Sequence, residues 1–111
     1  MICNRFEVVE VPFPFSDLPR AKMRKALVVS HKEFNQKNGS TILMMITSAE
    51  TGDWFLDVNL EDLKAAGLRK PCVARSKLFT LDNGLLVSKT GKLSEKDQKK
   101  VAQALKRAMD D

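Results

Sequence analysis

The chain has 111 residues, 43 % of them hydrophobic, and a formal net charge of +5. That suits one domain over residues 1–111 with one core, and is too apolar for a disordered chain. The longest aliphatic run, residues 42–46, falls far short of the roughly 20 residues of a membrane-spanning helix, and two cysteines with one histidine fall short of the about four ligands of a structural zinc site.

Residues 6–11 are rich in β-formers and read as a first strand, ended by Pro12 and Pro14, which lack the N–H a central ladder needs. Residues 12–25 then form a loop longer than most connections, with Arg20, Lys22, Arg24 and Lys25 in its second half. Residues 26–30 read as a second, buried strand, and residues 35–39 carry turn chemistry. Residues 41–48 form a third strand, whose continuous apolar centre implies cover on both faces. After a turn at Thr51, Gly52 and Asp53, residues 54–58 read as a further strand. Leu60, Leu63 and Leu68 have helical spacing, closed by Gly67. Residues 72–75, 77–80 and 85–89 are short strands, the last two split by the turn signal Asp82-Asn83-Gly84. The clearest helix comes last. Ser94 is a good N-cap, Glu95 and Asp97 suit the positive end of the helix dipole, and Val101, Leu105, Ala108 and Met109 form an apolar stripe for core or dimer contact. The sum is a mainly β fold: a small barrel of short, mostly antiparallel strands with a C-terminal amphipathic helix.

The excess of Lys and Arg fits a nucleic-acid partner, because these side chains neutralise phosphates and release counterions. The chain has no phosphate-binding glycine loop and no dinucleotide fingerprint. With His31 alone, an acid–base pair of two histidines is impossible in one subunit, and His31 reads as a surface residue just past a strand. Glu7, Glu10, Asp17, Glu50 and Asp53 are scattered without metal spacing, so neither metal nor cofactor is expected. Residues 1–5 lack the order of a secretory signal, and Cys3 and Cys72 fit reduced thiols in the cytoplasm.

The chemistry that remains lies where the basic loop empties into the second strand and where the third strand ends. If these strands pair, the guanidinium of Arg24 and the hydroxyl of Thr47 meet at one sheet end. A rigid fork of donors matches two phosphate oxygens, and a hydroxyl adds a third donor. RNA carries its own nucleophile, the 2′-hydroxyl. From spacing alone, a solvated loop cation and an ordinary strand end weigh more. Phe13 and Phe15 are candidates for stacking on bases or for packing the loop onto the barrel. Arg69, Lys70, Arg75 and Lys77 form a second basic cluster able to track an RNA backbone. Trp54 reads as core or interface.

Val8-Val9-Glu10-Val11-Pro12-Phe13-Pro14-Phe15-Ser16-Asp17-Leu18 resembles the opening strand and loop of the MazF/PemK-type toxins of bacterial toxin–antitoxin pairs. Arg24-Lys25-Ala26-Leu27-Val28-Val29-Ser30 is similar to their Arg-Pro-Ala-Leu-Val-Leu-Ser segment, and Met45-Ile46-Thr47-Ser48 to their Ile-Thr-Ser strand end. Leu78-Phe79-Thr80-Leu81 and Gly91-Lys92-Leu93-Ser94 resemble the later segments, in the same order. The resemblance implies an SH3-like barrel, a homodimer, metal-independent cleavage of single-stranded mRNA that arrests translation, and inhibition by a cognate antitoxin whose tail covers the RNA groove. It maps catalysis onto Arg24 and Thr47. Ser48, Lys25, Lys22, Arg20, Phe15, Arg75 and Lys77 are the expected RNA or phosphate contacts. The general base stays open, since arginine is a poor base. Two positions depart from the pattern. Phe6-Glu7 replaces the usual Gly-Asp, and Lys25 replaces the proline after the arginine, so a catalytically silent RNA- or antitoxin-binding module is the alternative. A gyrase poison like the CcdB-type toxins is a third reading, disfavoured because those lack the arginine–threonine pairing.

Overall fold

The structure, a computed structural model, describes residues 1–12 and 22–110. Six strands and three helices follow one another as β1 (Glu7–Pro12), β2 (Met23–Val28), α1 (Lys32–Asn38), β3 (Ser40–Ser48), β4 (Val58–Asn59), α2 (Leu63–Ala66), β5 (Cys72–Asp82), β6 (Ser88–Lys92) and α3 (Glu95–Met109). One antiparallel sheet in the order β4-β5-β3-β2-β1-β6 curls into a half-barrel, the mainly β fold of short antiparallel strands that the sequence implied.

Both faces of this sheet are covered, as the unbroken apolar run in β3 implied. Alternation along β1 sends Val8 to one core and Val9 and Val11 to the other. The first core holds Leu27, Met44, Ile46 and Ala74 under Ala66 of α2 and Val101, Ala104 and Leu105 of α3. The second holds Ala26, Val28, Leu43 and Phe79. The buried stripe of α3 is shorter than its periodicity suggests, because Ala108 and Met109 lie exposed. Ser94 caps this helix by accepting the N–H of Asp97. Asp97, read as a dipole partner, is fully buried and accepts the N–H groups of Glu61 and Asp62 at 3.1 and 3.0 Å.

Several segments differ from the sequence expectation. Residues 35–39, read as turn, belong to α1 and its cap. Asn35 is buried and hydrogen-bonds Ser30 and the Cys3 carbonyl, and Gly39 ends the helix at φ +68. Met23, Arg24 and Lys25 lie in β2 rather than in the preceding loop; residues 13–21 of that loop lie outside the described residues. The strand at residues 54–58 is reduced to Val58 and Asn59, since Leu56 takes φ +72 and Asp57 closes a turn onto Trp54. The two strands expected at 72–75 and 77–80 are one, β5, carrying an irregularity where Met45 opposes Arg75 and Met44 opposes Leu78. The last strand lies at 88–92 instead of 85–89 because Asn83–Leu85 forms a 3₁₀ turn.

Two glycines join α2 to β6. Gly67 caps α2 at φ +71, and a Cβ there would stand 2.2 Å from the Thr90 carbonyl oxygen. A Cβ on Gly91 would stand 2.5 Å from the Ala65 oxygen.

Candidate functional site

β2 and β3 pair with Ala26 opposite Met45, and two residues further along each strand stand Arg24 and Thr47. Arg24 has Val11 as its partner in β1, and Thr47 has Val73 as its partner in β5. The two residues therefore occupy the same end of the sheet. A groove of about 910 Å³ opens over this end. Arg24, Lys25, Thr47 and Ser48 line it, with Thr51 just beyond β3. Glu10 joins them from β1, Arg69 and Lys70 enter from the segment between α2 and β5, and Cys72 from the start of β5. By strand alternation Arg24 and Thr47 share a face with Val11, whereas Glu10, Lys25 and Ile46 share the other; the groove rounds the strand ends and takes both sets.

The local chemistry favours anions. Arg24 is exposed, and its guanidinium makes no hydrogen bond or ion pair to another described residue. Lys25 donates to the Gly67 carbonyl at 2.5 Å, which ties β2 to the far wall. Ser48 Oγ accepts the Glu50 N–H at 3.3 Å, which leaves its own hydrogen free to donate. Burial pushes the Cys72 thiol up, against the pull of Lys70 and Lys25, so the thiol stays protonated and unreactive. No group of three or more His, Cys, Asp or Glu side chains among the described residues is placed to hold a metal ion.

The second basic cluster divides. Arg69 and Lys70 face the groove, but Arg75 is absent from its lining and 5 % exposed. Arg75 donates to Asp57 at 3.1 and 2.9 Å and to the carbonyls of Thr51 and Gly52 at 3.3 and 3.1 Å. Its guanidinium also lies 5.4 Å from the Trp54 ring centroid. Arg75 thus pins the 51–57 turn and offers no free face to a phosphate. Lys77, half-buried, places its ammonium 6.0 Å from the same ring and lies outside the groove lining, as does exposed Lys22. Trp54 itself is 48 % exposed and serves as the platform for these cations. Phe15 and Arg20 lie outside the described residues. His31 is exposed at the start of α1 and takes no part in the groove. Sequence reasoning passed over Glu10, whose signal was a single charge inside the run Val8-Val9-Glu10-Val11.

Phe6 adopts φ +71, the left-handed region that glycine enters freely. The strain is held by its surroundings. The Phe6 N–H donates to the Val28 carbonyl at 2.7 Å, its carbonyl accepts the Leu93 N–H at 3.0 Å, and the ring is 9 % exposed in the first core. Next to it Glu7 accepts the Asn4 N–H at 2.6 Å and pairs with Lys89 at 2.9 Å. Burial pushes the Glu7 carboxyl up, but Asn4 and Lys89 together hold it below its usual range.

The chain belongs to the family of PemK-like, MazF-like toxins of type II toxin–antitoxin systems, whose pattern matches residues 4–109. No curated protein matches the sequence. Solved structures carry the same fold at low identity. A MazE–MazF crystal structure from Deinococcus radiodurans superposes with TM-score 0.77 at 17 % identity, covering 98 % of this chain and 97 % of that one. An endoribonuclease from a mycobacterial species gives 0.74 at 17 %, covering 98 % and 92 %. An endoribonuclease in complex with its cognate antitoxin, also mycobacterial, gives 0.73 at 16 %, covering 97 % and 93 %. No helix among the described residues is long and apolar enough to cross a membrane.

Proposed function

We propose that this toxin is an endoribonuclease that cleaves single-stranded mRNA without a metal, with Arg24 and Thr47 acting on the scissile phosphate. One observation carries the reading: an exposed arginine with no partner among the described residues and a threonine stand at one end of the sheet, in a groove whose walls carry Lys25, Arg69 and Lys70. The Arg24 fork binds two non-bridging oxygens, and the Thr47 and Ser48 hydroxyls donate to the charge that grows as the 2′-hydroxyl attacks phosphorus. Lys25 keeps the far wall in place through Gly67. Arg69 and Lys70 follow the neighbouring phosphates.

The same groove is where an antitoxin tail would exclude RNA, a partner suggested by the relatives solved with their cognate antitoxins. A homodimer acting in the cytoplasm completes the reading.

Incubating the purified protein with mixed-sequence RNA in EDTA tests it. Fragments ending in a 5′-hydroxyl and a 2′,3′-cyclic or 3′-phosphate are expected. Arg24→Ala and Thr47→Ala should each lower the rate by about 10²-fold or more, as for loss of a transition-state donor. Uncut RNA at high protein concentration, or cutting only with added metal, would sink the reading. Binding without cutting would select the silent module.

A further inference from the structure

Attack by a 2′-hydroxyl needs a proton acceptor near the scissile phosphate. The described groove lining offers few candidates. Arg24, Lys25, Arg69 and Lys70 are donors with no free lone pair. Thr47, Ser48 and Thr51 are hydroxyls, too weakly basic to take a proton from another hydroxyl. The Cys72 thiol is held in its protonated form by burial. One carboxylate is left among the described lining residues, Glu10 of β1.

Its setting suits the task. Glu10 stands opposite Lys25 in β2 and opposite Ser88 in β6. Its main-chain carbonyl accepts the Val87 N–H at 2.9 Å, so the backbone is fixed. Its side chain makes no hydrogen bond or ion pair with another described residue. Lys25, its ladder partner, is already engaged with the Gly67 carbonyl. An acidic side chain in a cationic cleft weakens phosphate binding by repulsion, and in β1 the flanking Val9 and Val11 are fully buried valines. A carboxylate held there, uncommitted and half-exposed, is explained by a role in proton transfer.

We propose that Glu10 is the general base of the cleavage reaction; the inference rests on the ribonuclease reading. The Glu10 carboxylate takes the proton of the 2′-hydroxyl. The freed oxygen forms a bond to phosphorus, and the bond from phosphorus to the 5′-oxygen breaks. The leaving oxygen keeps the bonding pair and takes a proton from solvent water, and Glu10 returns its proton to solvent. Among the described residues, Lys25 of β2 shares the face of Glu10, and Arg24, Arg69 and Lys70 line the same groove around it.

The test compares wild type, Glu10→Gln and Glu10→Asp on one RNA substrate in EDTA across pH, with thermal melting to show that each is folded. Glu10→Gln should lower kcat by about 10²- to 10⁴-fold, the usual range for a lost general base. Its KM should hold or fall, because a repulsive charge has gone. The decline of wild-type kcat on the acid side should vanish in Glu10→Gln and return in Glu10→Asp. If Glu10→Gln keeps the wild-type rate and pH profile, or loses only binding, the assignment is overturned while the ribonuclease reading stands. If wild type cuts no RNA, that reading falls and Glu10 falls with it. If Glu10→Gln fails to fold, Glu10→Asp decides alone: unchanged rate and profile overturn the assignment, and a slowed, pH-shifted kcat supports it.

Discussion

Phe6 sets two terms against each other within one residue. A side chain at positive φ costs roughly 1–2 kcal/mol, yet the phenyl ring fills the first core and lies 4.5 Å from the Arg5 guanidinium. Removing a buried phenyl costs about 3–5 kcal/mol, so packing wins and Phe6 is tolerated in the left-handed region. The ranking of truncations follows. Both Phe6→Ala and Phe6→Gly should destabilise, but the glycine variant should be the more stable of the two by about 1 kcal/mol, because it alone relieves the backbone. Urea unfolding of the pair checks this, and alanine above glycine would show that the strain is absent. At this scale the meeting of Arg24 and Thr47 at one sheet end was legible as a condition on the pairing of their strands, because apolar patterning fixes which residues emerge at strand ends; their proposed role came from the family resemblance. Glu10 was not legible, because a lone carboxylate in a strand reads the same whether it meets solvent or a groove.

At the scale of elements, the 51–57 turn depends on one buried ion pair. Arg75 and Asp57 have side chains 6 % and 13 % exposed and meet at 2.9 Å. Burial pushes the Asp57 carboxyl up, but the Arg75 hydrogen bonds, the Trp54 N–H and the Arg75 charge outweigh it and hold the group below its usual value. The folded group thus binds its proton less readily than the unfolded one. The stability it contributes is present above the unfolded value of about 3.9 and is lost as pH falls from there toward the folded value. Asp57→Asn should therefore flatten the acid side of the stability–pH curve, measured by thermal melts between pH 3 and 6; an unchanged slope there would refute the assignment. Arg75→Ala, which leaves the Asp57 charge without its cation and with only the Trp54 N–H, should cost about 3–5 kcal/mol. The sequence placed Arg75 with the RNA contacts because charge clustering along a chain does not show which cations are bonded internally. Its bonds to Asp57, Thr51 and Gly52 are what commit Arg75 away from the groove. The same blindness turned residues 54–58 into a strand: apolar content is visible, but a left-handed Leu56 is not. Helix α1 was missed for the opposite reason, since its Asn and Gln read as turn residues until Asn35 is seen bonded inside.

For the whole molecule, the groove gathers Arg24, Lys25, Arg69 and Lys70 on a chain whose net charge is +5. Association with single-stranded RNA should weaken with salt by a slope of about 0.7 per phosphate neutralised. Replacing Arg69 or Lys70 by alanine should reduce the slope of log K against log salt by about that amount each, while Lys77→Ala, outside the groove, should leave it unchanged. Equal slopes for all three would place the RNA elsewhere.

The glycine contact between α2 and β6 bears on how this surface meets a flexible polymer. Gly67 and Gly91 bring main chain against main chain with no side chain between them, and the Gly67 carbonyl also receives Lys25. A wall joined in this way has no slack: it moves only if the sheet moves. Its breadth is fixed before any strand arrives, like the fixed jaw of a vice. On the proposed ribonuclease reading, this side of the cleft sorts RNA by what fits as it stands, and a methyl group at either glycine would reset the gauge.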